Sequence, residues 1–220
     1  MEIYPHWRWT NGFTQELARM ILPLAFIVRI EDTREHRSWL DRIAEDLLAR
    51  QQPCGAIREE IGQVYEDGEM RPPRSNESYG TGEASLLHEN GDPVCDLLYT
   101  LNYALLGLHE AAAATSDAAF ASAEDRLVEF LCRVQLRSKD HPYLDGAWMR
   151  SFDYNLWENW GSSSDTGWGA WCVETGWTNT WIASVLAMRH TGESLFNLEN
   201  SQQLSSIFPA ILKEMLPERS

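Results

Sequence analysis

No two of the four cysteines, Cys54, Cys95, Cys132 and Cys172, lie within thirty residues of each other. That excludes a zinc ribbon and a CxxC redox pair. Their separations of 41, 37 and 40 residues fit a structural repeat better than a disulfide framework, so buried free thiols are expected. Basic residues are scarce, with 18 Lys and Arg against 33 Asp and Glu, a net charge of −15 and no basic block. Nucleic acid and anionic membrane surfaces are thereby excluded as partners, because phosphate contacts would have to overcome this field. An anionic substrate would depend on a few well-placed arginines. Long apolar runs are missing too. Met20–Ile30 is too short to span a bilayer and too deep in the chain for a secretory segment. No membrane partner is expected, and the chain reads as cytoplasmic and compatible with a reducing compartment. His6, His88, His109, His141 and His190 make no metal spacing with cysteine or carboxylate. With no Gly-rich phosphate cradle and no G-x-S-x-G elbow either, neither metal nor cofactor is expected.

Tryptophan is what the chain has in excess, and in one place. Seven of the ten fall between Trp148 and Trp181, among Asp145, Asp153, Glu158, Asp165 and Glu174. Gly146, Gly161, Gly167, Gly169 and Gly176 share the segment, a density of turn residues that puts it in a loop. Flat indole faces suit the C–H faces of a pyranose, and carboxylates accept from hydroxyls or protonate glycosidic oxygens. The pattern reads as a sugar-binding surface, with a Trp-rich core plug as the alternative.

Hydrophobic periodicity predicts six helices, over about 13–30, 33–50, 92–114, 117–135, 178–190 and 202–215. Pro23 should kink the first, Asp32 should cap the second, and Asp92-Pro93 should open the third. The first, third and fifth are apolar on most sides, whereas the second, fourth and sixth carry one stripe. A helix apolar all round must be enclosed, and a one-sided helix faces water. Three antiparallel hairpins follow, each with an inner and an outer helix. The expected fold is all-α, an arc of an α/α toroid, forming a single domain over 1–220 or the C-terminal half of a larger barrel. The two long connectors, roughly 51–92 and 137–177, should emerge on one face, beside the N-termini of the inner helices, and loops that long are usually functional. Two internal repeats fit this register. Trp9-Thr10-Asn11-Gly12-Phe13 matches Trp177-Thr178-Asn179-Thr180-Trp181, and Gly55-Ala56-Ile57-Arg58 matches Gly146-Ala147-Trp148-Met149-Arg150.

Trp177-Thr178-Asn179-Thr180-Trp181-Ile182, followed by Thr191-Gly192-Glu193, resembles a hairpin opening of the six-hairpin glycosidase superfamily, which includes unsaturated glucuronyl and rhamnogalacturonyl hydrolases. The resemblance spans about twenty residues closely. It implies an (α/α)6 toroid acting on uronic-acid-containing oligosaccharides by carboxyl acid catalysis, without an obligatory metal. Three hairpins are legible here instead of six, so a homo-oligomer completing the toroid is one expectation. No acid aligns with the family's catalytic aspartate, so the acids below rest on position alone.

Glu83 follows two glycines near the third helix, in Tyr79-Gly80-Thr81-Gly82-Glu83. Asp153 stands among Phe152, Tyr154 and Trp157, whose apolar surfaces would raise a carboxyl pKa as a general acid requires. Glu174 precedes the second W-T-N motif by three residues. These three are the candidate catalytic acids, each with a solvated or structural role as its alternative. Candidate substrate-binding residues are Arg58, Tyr79, Asp96, Arg150, Trp157, Trp168 and Trp177. The two arginines would grip a uronate carboxylate in bidentate fashion, against the alternative of a local salt bridge. Asp96 would sit one turn inside the third helix, stabilising its dipole or entering the lumen. Trp160 and Trp171 join the stacking candidates. A polysaccharide lyase using Tyr79, Tyr154 or His88 as base, and a non-catalytic carbohydrate-binding or assembly subunit, are the two other readings.

Overall fold

The computed structural model describes Tyr4 and residues 12–60, 88–160, 173, 176–196 and 206–210. Five helices are bounded within them: α1 (Phe13–Ile30), α2 (Arg34–Leu48), α3 (Thr100–Thr115), α4 (Ala118–Val134) and α5 (Gly176–Thr191). Residues 206–210 are also helical and exposed. A small sheet is the element that sequence periodicity did not predict. It is ordered β1-β2-β3, with β1 (Val94–Asp96) antiparallel to β2 (Ser151–Asp153) and β2 antiparallel to β3 (Glu158–Asn159).

The helix boundaries follow local chemistry. Gly12 stands at φ 110° before α1, and the Thr14 N–H, which has no partner inside its own helix, donates to the Glu60 carbonyl at 3.1 Å. Helix α1 continues through Pro23, which lies on its exposed side. Thr33, not Asp32, caps α2, accepting from His36 N–H at 3.1 Å, while Asp32 pairs with Arg37 at the surface. Asp117 caps α4 by accepting from Ala119 N–H at 2.8 Å. The third helix opens seven residues later than Pro93 would suggest. Its expected first turn is spent on strand pairing, where Val94, Cys95 and Asp96 face Asp153, Phe152 and Ser151. A cap-and-proline signal is local, and the partner strand that overrides it lies more than fifty residues away.

Packing sorts the helices. Helix α2 buries Leu40, Ile43, Ala44 and Leu47, a one-sided 3–4 stripe, and α4 buries Phe120, Ala123, Leu127, Phe130, Leu131 and Val134. Helix α3 is buried on most of its surface and packs chiefly on α1, with α4 and α5 beside it. Fully burying a leucine or isoleucine in that seam contributes about 1.5–3 kcal/mol. The α1–α3 approach is close at Gly107, where a Cβ would stand 2.8 Å from that of Ile21. Helices α1 and α3 run parallel, since Arg19 meets Tyr103, Ile21 meets Gly107 and Arg29 meets Glu110 in that order. Helix α5 is parallel to α3 by the same test, through Tyr99–Trp177, Tyr103–Trp181 and His109–Glu193. Contrary to the enclosed helix expected, α5 leaves Thr180, Ala183, Ser184 and Ala187 exposed, because α3 covers only the flank carrying Ile182 and Val185. Of the thiols, Cys95 is buried and Cys54 partly so, but Cys132 is on the exposed side of α4, so the expected burial fails there.

Candidate functional site

The described parts of both connectors gather at the N-terminal ends of α1, α3 and α5. The first is tied there by Thr14, whose hydroxyl donates to the Arg58 carbonyl at 3.2 Å and accepts from the Glu60 N–H at 3.0 Å, and by Glu59 N–H donating to the Val94 carbonyl at 2.9 Å. The second is tied by Leu97 and Leu98 N–H donating to the Arg150 carbonyl at 2.7 and 3.2 Å. Asn179, from the second W-T-N motif, clamps it to α5. Its Oδ1 accepts from Trp148 N–H at 2.9 Å and its Nδ2 donates to the Val173 carbonyl at 2.9 Å.

A turn used twice stands behind this gathering. Gln52 N–H donates to the Ala56 carbonyl and Gly55 N–H returns to the Gln52 carbonyl, at 2.7 and 2.9 Å. Leu136 N–H donates to Ala147 and Gly146 N–H returns to Leu136, both at 2.9 Å. The Gln51 amide donates to the Gly55 carbonyl at 3.3 Å, as the Gln135 amide does to Gly146 at 2.7 Å. Both glycines take positive φ, 99° and 83°, the left-handed backbone that side chains resist. The equivalence sets Ile57 against Trp148 and Glu59 against Arg150. Arg58 and Arg150 are therefore not counterparts, because the second copy carries one more residue before its arginine.

Among the expected site residues, Asp153 is buried at the β2–β3 hairpin, where its Oδ1 accepts from Asn155 and Leu156 N–H, both at 2.8 Å, an Asx turn. Arg58 forms an ion pair with Glu60 at 2.5 Å, which Arg50 shares at 2.8 Å. Arg150 is buried behind the Leu97 and Leu98 contacts. Asp96 is a correction: it lies in β1, fully buried, and its Oδ1 accepts from Leu98 N–H at 2.8 Å, so it turns the chain into α3 instead of standing inside that helix. Glu83, Glu174, Tyr79, Trp168 and Trp171 lie outside the described residues. Tyr154 is pushed up to about 12, burial being the main cause, so its phenol stays protonated at neutral pH. His88 is buried, with Nδ1 3.0 Å from the Glu89 carbonyl.

The tryptophans divide. Trp148 is core, its indole N–H donating to the Leu131 carbonyl at 2.8 Å. Trp177 is 54% exposed and opens a four-ring surface. Trp177 and Trp181 stack on one another along α5 at 6.3 Å, and Tyr99 and Tyr103 stack along α3 at 6.4 Å. Edge-to-face contacts join the pairs, Tyr99 with Trp177 at 5.9 Å and Tyr103 with Trp181 at 5.3 Å. Arg19 of α1 lies 5.1 Å over Tyr103. The Asn102 amide donates to the Trp177 carbonyl at 3.0 Å and fixes the two helices in this register. Tyr99 and Tyr103 escaped sequence reasoning. Their signal was an i, i+4 tyrosine pair in a helix read only for its leucines.

On the hairpin, Trp157 takes the left-handed region at φ 59°, with the Arg133 guanidinium 4.4 Å over its ring and Phe152 at its edge. Among the described residues no group of three or more His, Cys, Asp or Glu could hold a metal ion, and no helix is long and apolar enough to cross a membrane. No family model, curated protein or solved structure matches the chain.

Proposed function

We propose that the protein is a carbohydrate-active hydrolase of uronic-acid-containing oligosaccharides, built as an arc of an α/α toroid whose substrate lies on the aromatic surface of α3 and α5. The observation that carries the reading is that surface. Four rings from two parallel helices meet at the helix N-termini, where both connectors also arrive. Stacked aromatics bind pyranose C–H faces, and the N-terminal helix dipoles there favour an anionic group such as a uronate. Parallel α1, α3 and α5, with α2 and α4 on the outside and one turn used twice, support the arc. Glu174 and Glu83 are assigned as donor and base on their sequence positions, three residues before Trp177 and within the connector that leads to α3. Asp153 is demoted, because its carboxylate is engaged by the hairpin.

Incubation with unsaturated and intact uronide oligosaccharides, followed by reducing-end release, tests the reading. Glu174→Gln or Glu83→Gln should lower turnover by about a hundredfold or more. Trp177→Ala should act mainly on KM. Full turnover in the Glu83→Gln/Glu174→Gln double variant, or no release from any uronide, would sink it.

A non-catalytic carbohydrate-binding subunit is favoured by one observation, the exposed Thr180, Ala183, Ser184 and Ala187 flank of α5. In a closed ring that flank faces another inner helix. Sedimentation as a dimer together with sugar binding and no turnover would select this reading. Elimination chemistry is the weaker alternative, since Tyr154 is held protonated.

A further inference from the structure

Two cavities of similar size differ in what their polar groups are doing. The one of about 680 Å³ opens at the C-terminal ends of α1, α3 and α5. Its charges are spent on one another: Glu124 accepts from His109 at 2.9 Å and pairs with Arg189 at 2.8 Å, while Arg29 is held by Glu110 at 3.1 Å. The other, about 590 Å³, lies between the end of α4 and the β2–β3 hairpin and is lined by Arg133, Phe152, Trp157, Glu158, Asn159 and Trp160. Among the described residues, the side chains of Arg133, Glu158 and Asn159 and the Trp160 indole N–H engage no protein hydrogen bond or ion pair. Arg133 only stacks on Trp157.

We propose that this second cavity is a saccharide site distinct from the α3–α5 surface, taking the end of a neutral pyranoside. Two indoles supply apolar faces. The same lining offers donors from Arg133, Asn159 and Trp160 and acceptors from Glu158 and Asn159, the mixed inventory that a ring of hydroxyls matches. One arginine and one glutamate leave the lining neutral, and a chain of net charge −15 repels anions at long range. That balance selects an uncharged sugar over a uronate. Trp157 also bears the backbone cost of a left-handed φ. The cost is met by Arg133 over the indole and by Phe130 and Phe152 against it, at 6.0 and 5.2 Å, and the indole is left 39% exposed beside the cavity. The proposal shares with the previous section the premise that the chain meets sugars, but it needs neither turnover nor a uronate.

Methyl glucoside, methyl galactoside, methyl mannoside and the anionic control glucuronate are the probes, followed by saturation-transfer NMR and calorimetry on the full chain. At least one neutral glycoside should bind saturably. Trp157→Gly removes the ring and relaxes the left-handed backbone, so its fold is retained, and Arg133→Met keeps the aliphatic stem. Each should weaken binding by about tenfold or more, whereas Trp177→Ala should leave it intact. Absence of saturable binding by every neutral glycoside overturns the proposal. So do binding indifferent to both variants and a preference for glucuronate. If uronide hydrolysis exists and Trp157→Gly abolishes it as deeply as Glu174→Gln does, the cavity is the reacting site and the inference of a second site is wrong.

Discussion

At the scale of single residues, backbone geometry separates two glycines that composition treats alike. Gly55 and Gly91 both hold φ near 100°, but a Cβ on Gly55 would stand 2.0 Å from the Arg126 carbonyl oxygen, whereas one on Gly91 meets open space. Gly91→Ala should cost about 1 kcal/mol from the left-handed conformation alone, and Gly55→Ala about 2–4 kcal/mol, measured by urea denaturation. Equal costs would refute the close approach of the α2 turn to α4. Asp153 offers a second residue-level test. Asparagine keeps an oxygen for the Asn155 and Leu156 N–H groups, so Asp153→Asn should lose little stability, while Asp153→Ala should lose about 1 kcal/mol. Deep loss of turnover in a well-folded Asp153→Asn would reinstate it as a catalytic acid.

At the scale of elements, periodicity located the helices well, because a stripe such as Leu40, Ile43, Ala44 and Leu47 is set by what a helix must bury. Boundaries were less legible. The second helix was misplaced by one residue at its cap, and Thr33→Ala should cost about 1 kcal/mol in thermal unfolding while Asp32→Ala, at an exposed ion pair, should cost little. The sheet was illegible for a stronger reason. Val94-Cys95-Asp96 and Ser151-Phe152-Asp153 are three-residue runs without alternation, and each becomes a strand only by meeting the other. The candidate site shares both fates. Trp177 and Trp157 were legible as surface indoles, whereas Tyr99, Tyr103 and Arg133 act only through neighbours brought by tertiary packing.

At the scale of the molecule, one histidine ties three segments together. His109 on α3 faces the Glu124 carboxylate with Nδ1 and the Glu193 carbonyl with Nε2, at 2.9 and 2.8 Å. Two acceptors on two ring nitrogens call for the imidazolium, and the Glu124 hydrogen bond, opposed by burial, raises its pKa above the ordinary histidine value. Glu110 adds to the same direction, and Arg189 shares Glu124 from α5. A raised folded pKa means stability fully present below the unfolded histidine value and lost as pH climbs through the higher folded one. Stability from chemical denaturation should therefore fall as pH rises above the unfolded histidine value, and His109→Gln should flatten the fall. An unchanged slope in the variant would place the proton elsewhere.

The duplicated Gly-Ala turn has an architectural consequence. Each copy joins the start of one inner helix to the start of the next, and the second tolerates seven extra residues between its glutamine and glycine without altering the joint. A connector that absorbs insertions while keeping its hinge is a reusable bracket. In the toroidal arc proposed above, the circumference would be set by how many times the bracket is copied, and the connectors could diversify without disturbing the joints that hold them.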